Sequence, residues 1–155
     1  SRRRHTRYAD RSRGLGDVYK RQVDTLRKEL TATMEEHCGV FRTAEVLDEG
    51  VEKVLALQQR IPDVRLRDHS QVFNTARIEA LELENLMDVA IATMMSAQQR
   101  QESRGAHSRI DFPERDDVNW LRHSLYHKAT HSVDYKPVRM KPLTVESFPP
   151  KPRTY

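Results

Sequence analysis

Along three stretches of this chain, apolar residues recur every three or four positions, and each stretch has its own start and stop. Val23, Leu26, Leu30 and Met34 mark one face of a first helix. Gly39, which enters the left-handed backbone region without steric cost, is expected to end that helix just past His37. Thr43 is suited to cap the next helix, because its hydroxyl can accept from a free backbone N–H one turn on, and Glu45 complements the positive helix start. Val46, Leu47, Val51, Val54, Leu55 and Ile61 continue that pattern until Pro62 stops it, which predicts helix two over Thr43–Arg60. After a polar connection from Pro62 to Phe73, Asn74 can cap a third and longer helix reaching Arg100. Ala76, Ala80, Leu83, Met87, Ala90, Ile91, Met94 and Ala97 line its inner face, and a rod of this length is on the order of 40 Å long.

Three helices joined by short connections predict a mainly α fold, an antiparallel up-down-up three-helix bundle of the spectrin-repeat kind over residues 23–104. A helical solenoid would need a recurring unit of roughly 30 to 45 residues, and the sequence has none. Beyond Gly105 six of the seven prolines appear, forbidding long helices and central strands. Residues 105–155 are therefore expected to form an extended C-terminal tail. Within it Trp120–Tyr126 and Ser132–Val138 can pair as a short β-hairpin around Lys128-Ala129-Thr130. Trp120, Tyr126, Tyr135, Phe148 and Tyr155 give this tail apolar material without a period of its own, which fits a segment laid across another surface.

Composition changes this picture at one end only. The chain holds 27 basic and 23 acidic residues, a mildly basic balance that raises the question of a nucleic-acid partner. Eight of the basic residues (Arg2, Arg3, Arg4, Arg7, Arg11, Arg13, Lys20 and Arg21) and only two acids, Asp10 and Asp17, lie in residues 1–22, so the rest of the chain is slightly acidic. Ser12-Arg-Gly-Leu-Gly-Asp-Val-Tyr-Lys-Arg-Gln22 resembles the in-frame translation of a transposase-library sequencing primer. Ser1-Arg-Arg-Arg-His-Thr-Arg7 resembles the flow-cell end of the same adapter. Residues 1–22 are accordingly read as non-native and disordered, and with them goes the case for nucleic acid. Cys38 is the only cysteine, so neither a disulfide framework nor a multi-cysteine metal site forms within the chain. No apolar run approaches the roughly 18 residues that would insert in a bilayer.

Few residues carry recognisable chemistry. Gly14 and Gly16, the one glycine pair resembling a nucleotide loop, fall in the adapter segment, and no phosphate-binding loop remains. His37 with Cys38 lacks the second pair of a zinc site, and His123 with His127 lacks the acid of a zinc hydrolase. Ser103, His107 and Asp111 can be strung together as a triad, but no Gly-x-Ser-x-Gly elbow accompanies them. Asp116 and Asp117 beside Arg115 suit a capped turn with an ion pair better than an acid–base dyad. What remains is a charge-rich stretch in which Arg100, Arg104, His107, Arg109 and Arg115 stand among Glu102, Asp111, Glu114, Asp116 and Asp117. It reads either as a solvated helix end or as a docking surface. In the second case arginines make forked bonds to another domain, with Arg104, His107, Arg109, Arg115, Asp116 and Asp117 as its candidate residues.

Glu102-Ser-Arg-Gly-Ala-His-Ser-Arg109, Asp111-Phe-Pro-Glu-Arg-Asp-Asp117, Asn119-Trp120 and Phe148-Pro-Pro-Lys-Pro-Arg-Thr-Tyr155 resemble the C-terminal region of the succinate dehydrogenase/fumarate reductase flavoprotein family. Glu36-His-Cys-Gly-Val-Phe-Arg-Thr-Ala-Glu45 and Val72-Phe-Asn-Thr-Ala-Arg-Ile-Glu-Ala-Leu-Glu-Leu-Glu-Asn-Leu86 are similar to its bacterial succinate dehydrogenase form. The resemblance covers Val23 to Tyr155. It implies a parent subunit that oxidises succinate to fumarate at a covalently held FAD and passes electrons through an iron–sulfur subunit to quinone. Such a complex sits at the inner, cytoplasmic face of the bacterial membrane. The family's dinucleotide fold, flavin-linking histidine and substrate-binding residues belong to its upstream part, so the resemblance assigns no catalytic, cofactor or metal residue to this chain. It implies instead that Arg104, His107 and Arg109 fix the bundle against the flavin domain. Without that resemblance, the reading from residues alone is a free-standing helical protein-interaction module.

Overall fold

The structure is a computed structural model that describes residues 22–66, 68 and 70–151. Apart from Gln22, the adapter-like segment lies outside these residues, as do the last four residues of the terminal motif. Helix α1 spans residues 22–37, α2 spans Ala44–Gln59 and α3 spans Thr75–Gln99, with a short 3-10 turn at Ile61–Asp63. Strands β1 (Arg122–His127) and β2 (Ser132–Pro137) form an antiparallel hairpin in which Arg122 faces Pro137 and His127 faces Ser132. The fold is therefore mainly α with one short hairpin, as the periodicity predicts.

The caps explain the boundaries. Thr43 Oγ1 accepts from Val46 N at 3.4 Å, and Asn74 Oδ1 accepts from Arg77 N at 2.8 Å. Asn74 is itself buried, and its amide nitrogen donates to Asp68 O and Ser70 O, so the cap also ties down the preceding loop. Pro62 sits in the 3-10 turn that ends α2. Gly39 acts by another route than the one expected: Gly105 is the glycine with positive φ among the described residues, at +60°. At Gly39 a Cβ would stand 2.6 Å from Glu35 O, so close backbone approach, rather than handedness, calls for glycine there.

Val23, Leu26 and Leu30 of α1 meet Leu47, Val54 and Leu57 of α2 and Leu83, Met87, Ile91 and Met94 of α3 in one core. Burying each large side chain of this set contributes about 1.5–3 kcal/mol. Gly50 lets the helices close, because a Cβ there would lie 2.6 Å from His37 Cβ and 2.8 Å from Met94 Cε. The hairpin packs beside α3 through Tyr126, and Lys128 pairs with Asp88 across the contact. Residues 139–151 run on exposed, from Met140 at 37% to Leu143 at 82% among the large apolar side chains.

Candidate docking site

An up-down-up bundle brings the C-termini of α1 and α3 and the N-terminus of α2 to one end, and the charge-rich stretch lies across all three. Helix C-termini leave carbonyls unpaired and carry partial negative charge; N-termini do the reverse. Arg42 meets the end of α1, with Nε donating to Gly39 O at 2.8 Å and Nη2 to Cys38 O at 3.0 Å. Arg109 meets the end of α3, where its Nη1 donates to Ala97 O, Gln98 O and Arg100 O at 3.2–3.4 Å. The other edge of the same guanidinium makes a forked bond to Asp111, Nε–Oδ1 2.7 Å and Nη2–Oδ2 2.6 Å. Asp111 Oδ2 in turn accepts from Ala44 N, the first residue of α2, at 3.0 Å. One ion pair thus satisfies the negative end of α3 and the positive start of α2 together. Arg109 is 2% exposed, and its paired guanidinium holds the Asp111 carboxyl down at about 2.

A second carboxylate organises the loop that follows α3. Glu102 is fully buried and takes bonds from Arg100, from Arg104 Nε and Nη2 (2.9 and 3.0 Å) and from Asp116 N (3.0 Å). Burial pushes its carboxyl up, but the bonds from Arg104, the Asp116 amide and Arg100 together outweigh this and hold it below its ordinary value. Arg104 reaches on to Asp117 at 2.6 Å, and Arg115 holds the other oxygen of Asp117 at 2.8 Å while donating to Lys151 O in the tail. Asp116 accepts from Val118 N, Asn119 N and Asn119 Nδ2, capping the turn beyond it. Gly105, with φ +60°, turns the chain so that Arg104 and His107 exchange backbone hydrogen bonds at 2.8 and 3.0 Å.

His107 is enclosed by cations. Arg42 Nη1 donates to its Nδ1 at 2.7 Å, which leaves the proton on Nε2, directed at Arg100 O 3.3 Å away. Burial lowers its pKa, and the neighbouring Arg42, Arg109 and Arg100 lower it further, so the ring is neutral near pH 7. The three residues of the sequence-level triad do not assemble. Ser103 Oγ bridges Arg109 and Phe112, His107 faces Arg42, and Asp111 serves Arg109 and Ala44. His127 pairs with Asp134, and His123 stands opposite Lys136 in the hairpin. Among the described residues no three His, Cys, Asp or Glu side chains converge as metal ligands.

All six candidate residues meet within this one network, but they differ in what they leave accessible. Arg109 is enclosed, whereas Arg104, Arg115 and Asp117 keep a solvent-facing edge. A groove of about 470 Å³ runs between α1 and α3, lined by Leu30, Met34, Leu86 and Val89. It continues through Val89, Thr93 and Arg42 into a cleft against Arg100, His107 and Tyr126. Sequence reasoning missed Arg42, although an arginine just past a helix end is a usable signal for C-terminal capping. It also left Glu102 out of the candidates, because nothing local marks a carboxylate as the buried hub of two arginines.

A family described as Fumarate reductase flavoprotein C-term matches residues 27–155. The succinate dehydrogenase flavoprotein subunit of Coxiella burnetii is 52% identical over 128 residues, covering 83% of this chain and 22% of that protein. The mitochondrial flavoprotein subunit of rice succinate dehydrogenase is 44% identical over 134 residues, covering 84% of this chain and 21% of that protein. Among solved structures, Escherichia coli quinol fumarate reductase superposes with a TM-score of 0.71 at 34% identity, covering 90% of this chain and 26% of that one. The chain thus spans about a quarter or less of the length of these relatives, in their C-terminal region, and it belongs to the succinate dehydrogenase/fumarate reductase flavoprotein family.

Proposed function

We propose that residues 23–155 are the C-terminal portion of a succinate dehydrogenase flavoprotein subunit, with residues 1–22 an adapter-derived appendage. In the proposed whole subunit, FAD oxidises succinate to fumarate and electrons pass to an iron–sulfur subunit and on to quinone, at the inner face of a bacterial membrane. The observation that carries this reading is the 52% identity over 128 residues to a protein of which the chain spans only 22%. The role of the portion itself is structural: it docks on the flavin domain that precedes it. The groove between α1 and α3, together with the open edge of Arg104, Arg115 and Asp117, supplies the contact. Arg109, His107 and Asp116 give that edge its shape.

The residues at hand do not fit a dinucleotide cradle. Among the described glycines, Gly39 abuts Glu35 O, Gly50 is packed against His37 and Met94, and Gly105 turns a loop whose hydrogen bonds are internal. No step of the redox reaction is therefore assigned to this chain. A free-standing helical interaction module is the competing reading, favoured by a core and helix caps that close within the chain.

The test joins residues 23–155 to the upstream part of the C. burnetii subunit in place of its own C-terminal region. The joined protein should retain flavin absorbance and oxidise succinate with an artificial acceptor. Loss of both, while the unaltered C. burnetii subunit keeps them, would overturn the proposal.

A further inference from the structure

Arg122 is built differently from the arginines of the loop after α3, and from Arg42, which is held by the Gly39 and Cys38 carbonyls and His107. Arg100, Arg104, Arg109 and Arg115 each hold a carboxylate. Arg122 lies on a tilted aromatic seat instead, its guanidinium carbon 3.8 Å from the Tyr135 ring centre and 4.4 Å from that of Trp120. The two rings meet edge to face with centroids 5.5 Å apart. Its main chain is fixed as well, since its N–H donates to Trp120 O and its carbonyl accepts from Arg100 Nη2, both at 2.7 Å. Its Nε is buried without an acceptor, and among the described residues nothing accepts from the guanidinium. The Arg100 guanidinium lies 5.3 Å from the same Trp120 ring, so two cations share one indole, and among the described residues only Arg100 of the two is neutralised.

Stacking fixes the plane of a guanidinium and leaves its outer edge free for a forked bond. The chemistry that matches such an edge is a carboxylate. We propose that Arg122 is a pre-set anchor for an Asp or Glu side chain on the part of the flavoprotein subunit that precedes this chain. The occupant follows from charge complementarity and from length, because most of the C. burnetii relative lies outside the matched region. The inference rests on the docking role proposed above.

In the joined subunit carrying Arg122→Lys, a carbodiimide, which couples an amine to a carboxylate in contact with it, reads the partner directly. Lys128 and Asp88, whose charged atoms are 2.5 Å apart, give an internal control cross-link. The expected product is a peptide pair linking residue 122 to a carboxylate upstream of this chain, in a protein that still holds flavin. A flavin-holding protein with the control link and no upstream link at residue 122 overturns the anchor and leaves the docking reading standing. A joined protein without flavin overturns the docking reading and the anchor with it. Arg122→Gln provides a second measure: it should lower the melting temperature of the joined subunit more than that of the 155-residue chain alone. An equal shift in both would show that the side chain serves only its local ring stack.

Discussion

The buried charges of the corner and the apolar side chains left in water invert the usual arrangement of a protein surface. Arg109 is 2% exposed and Glu102 fully buried, while Phe73 is 95% exposed, Leu143 82% and Val89 63%. Charged residues are seldom fully buried unless paired, and the corner meets that condition: nearly every arginine there has a carboxylate or a helix-end carbonyl. A cluster that looks like a docking surface in the sequence is thus first of all a lock between helix ends. The apolar side chains left in water lie on the α1–α3 groove, on the loop before α3, along residues 139–151 and around the corner itself, where Phe41 is 75% exposed and Val118 92%. Contiguous exposed apolar surface is where soluble proteins make contacts. Paired charge closes this fold, while much of its apolar surface stays in water.

That contrast breaks most readily at Arg109. Arg109→Ala leaves Asp111 partly buried without its partner and frees the Ala97 and Gln98 carbonyls of α3, at an expected cost of about 3–5 kcal/mol. Urea denaturation of the 155-residue chain measures it. A loss under about 1 kcal/mol, the range of exposed pairs, would show that the corner is a surface feature after all.

Acid should loosen the lock in two stages. His107 resists its proton in the folded state, because burial and three arginines lower its pKa, so stability falls as pH drops below its ordinary value near 6.5. Asp111 is held at about 2 against an ordinary 3.8, so its contribution is full above 3.8 and is lost as pH falls toward 2. Asp111 is partly solvent-exposed, so after screening the second stage is worth about 1 kcal/mol. Denaturation midpoints across pH 7 to 2 should show both stages, with His107→Gln abolishing the upper one and Asp111→Asn reducing the lower one, which Glu102, Asp116 and Asp117 share.

The smallest effect is expected on the apolar side. Phe73 has φ +54° with its ring in solvent, a conformation that Asn adopts more readily. Phe73→Asn should raise the stability of the chain alone by about 0.5 kcal/mol, the scale of relieved left-handed strain. A comparable loss would mean that the ring packs within this chain.

The helices were legible because their signals are local. Thr43 and Asn74 stand where a capping side chain is needed, Pro62 stops α2, and the three-to-four spacing of Leu83, Met87, Ile91 and Met94 marks the face that is buried. The hairpin was legible to within two residues from its aromatic and proline punctuation. The lock was not, because its partners are brought together only by the fold: Arg42 meets His107 across 65 positions and Ala44 meets Asp111 across 67. Glu102 gave no sign of burial, since only the convergence of Arg100, Arg104 and the Asp116 amide makes a dry carboxylate tolerable. Arg122 reads as an ordinary strand residue in the sequence, because the Trp120 and Tyr135 rings that seat its guanidinium come together only in the fold.

The bond from Ala44 N to Asp111 has a consequence for how the chain is made. A ribosome releases α2 long before it releases Asp111, so the start of α2 leaves the exit tunnel with only Thr43 to hold it. The same holds for the end of α3, whose carbonyls wait for Arg109. The bundle is therefore bolted from its downstream side. A product ended early, between residues 99 and 108, would contain all three helices and neither bolt.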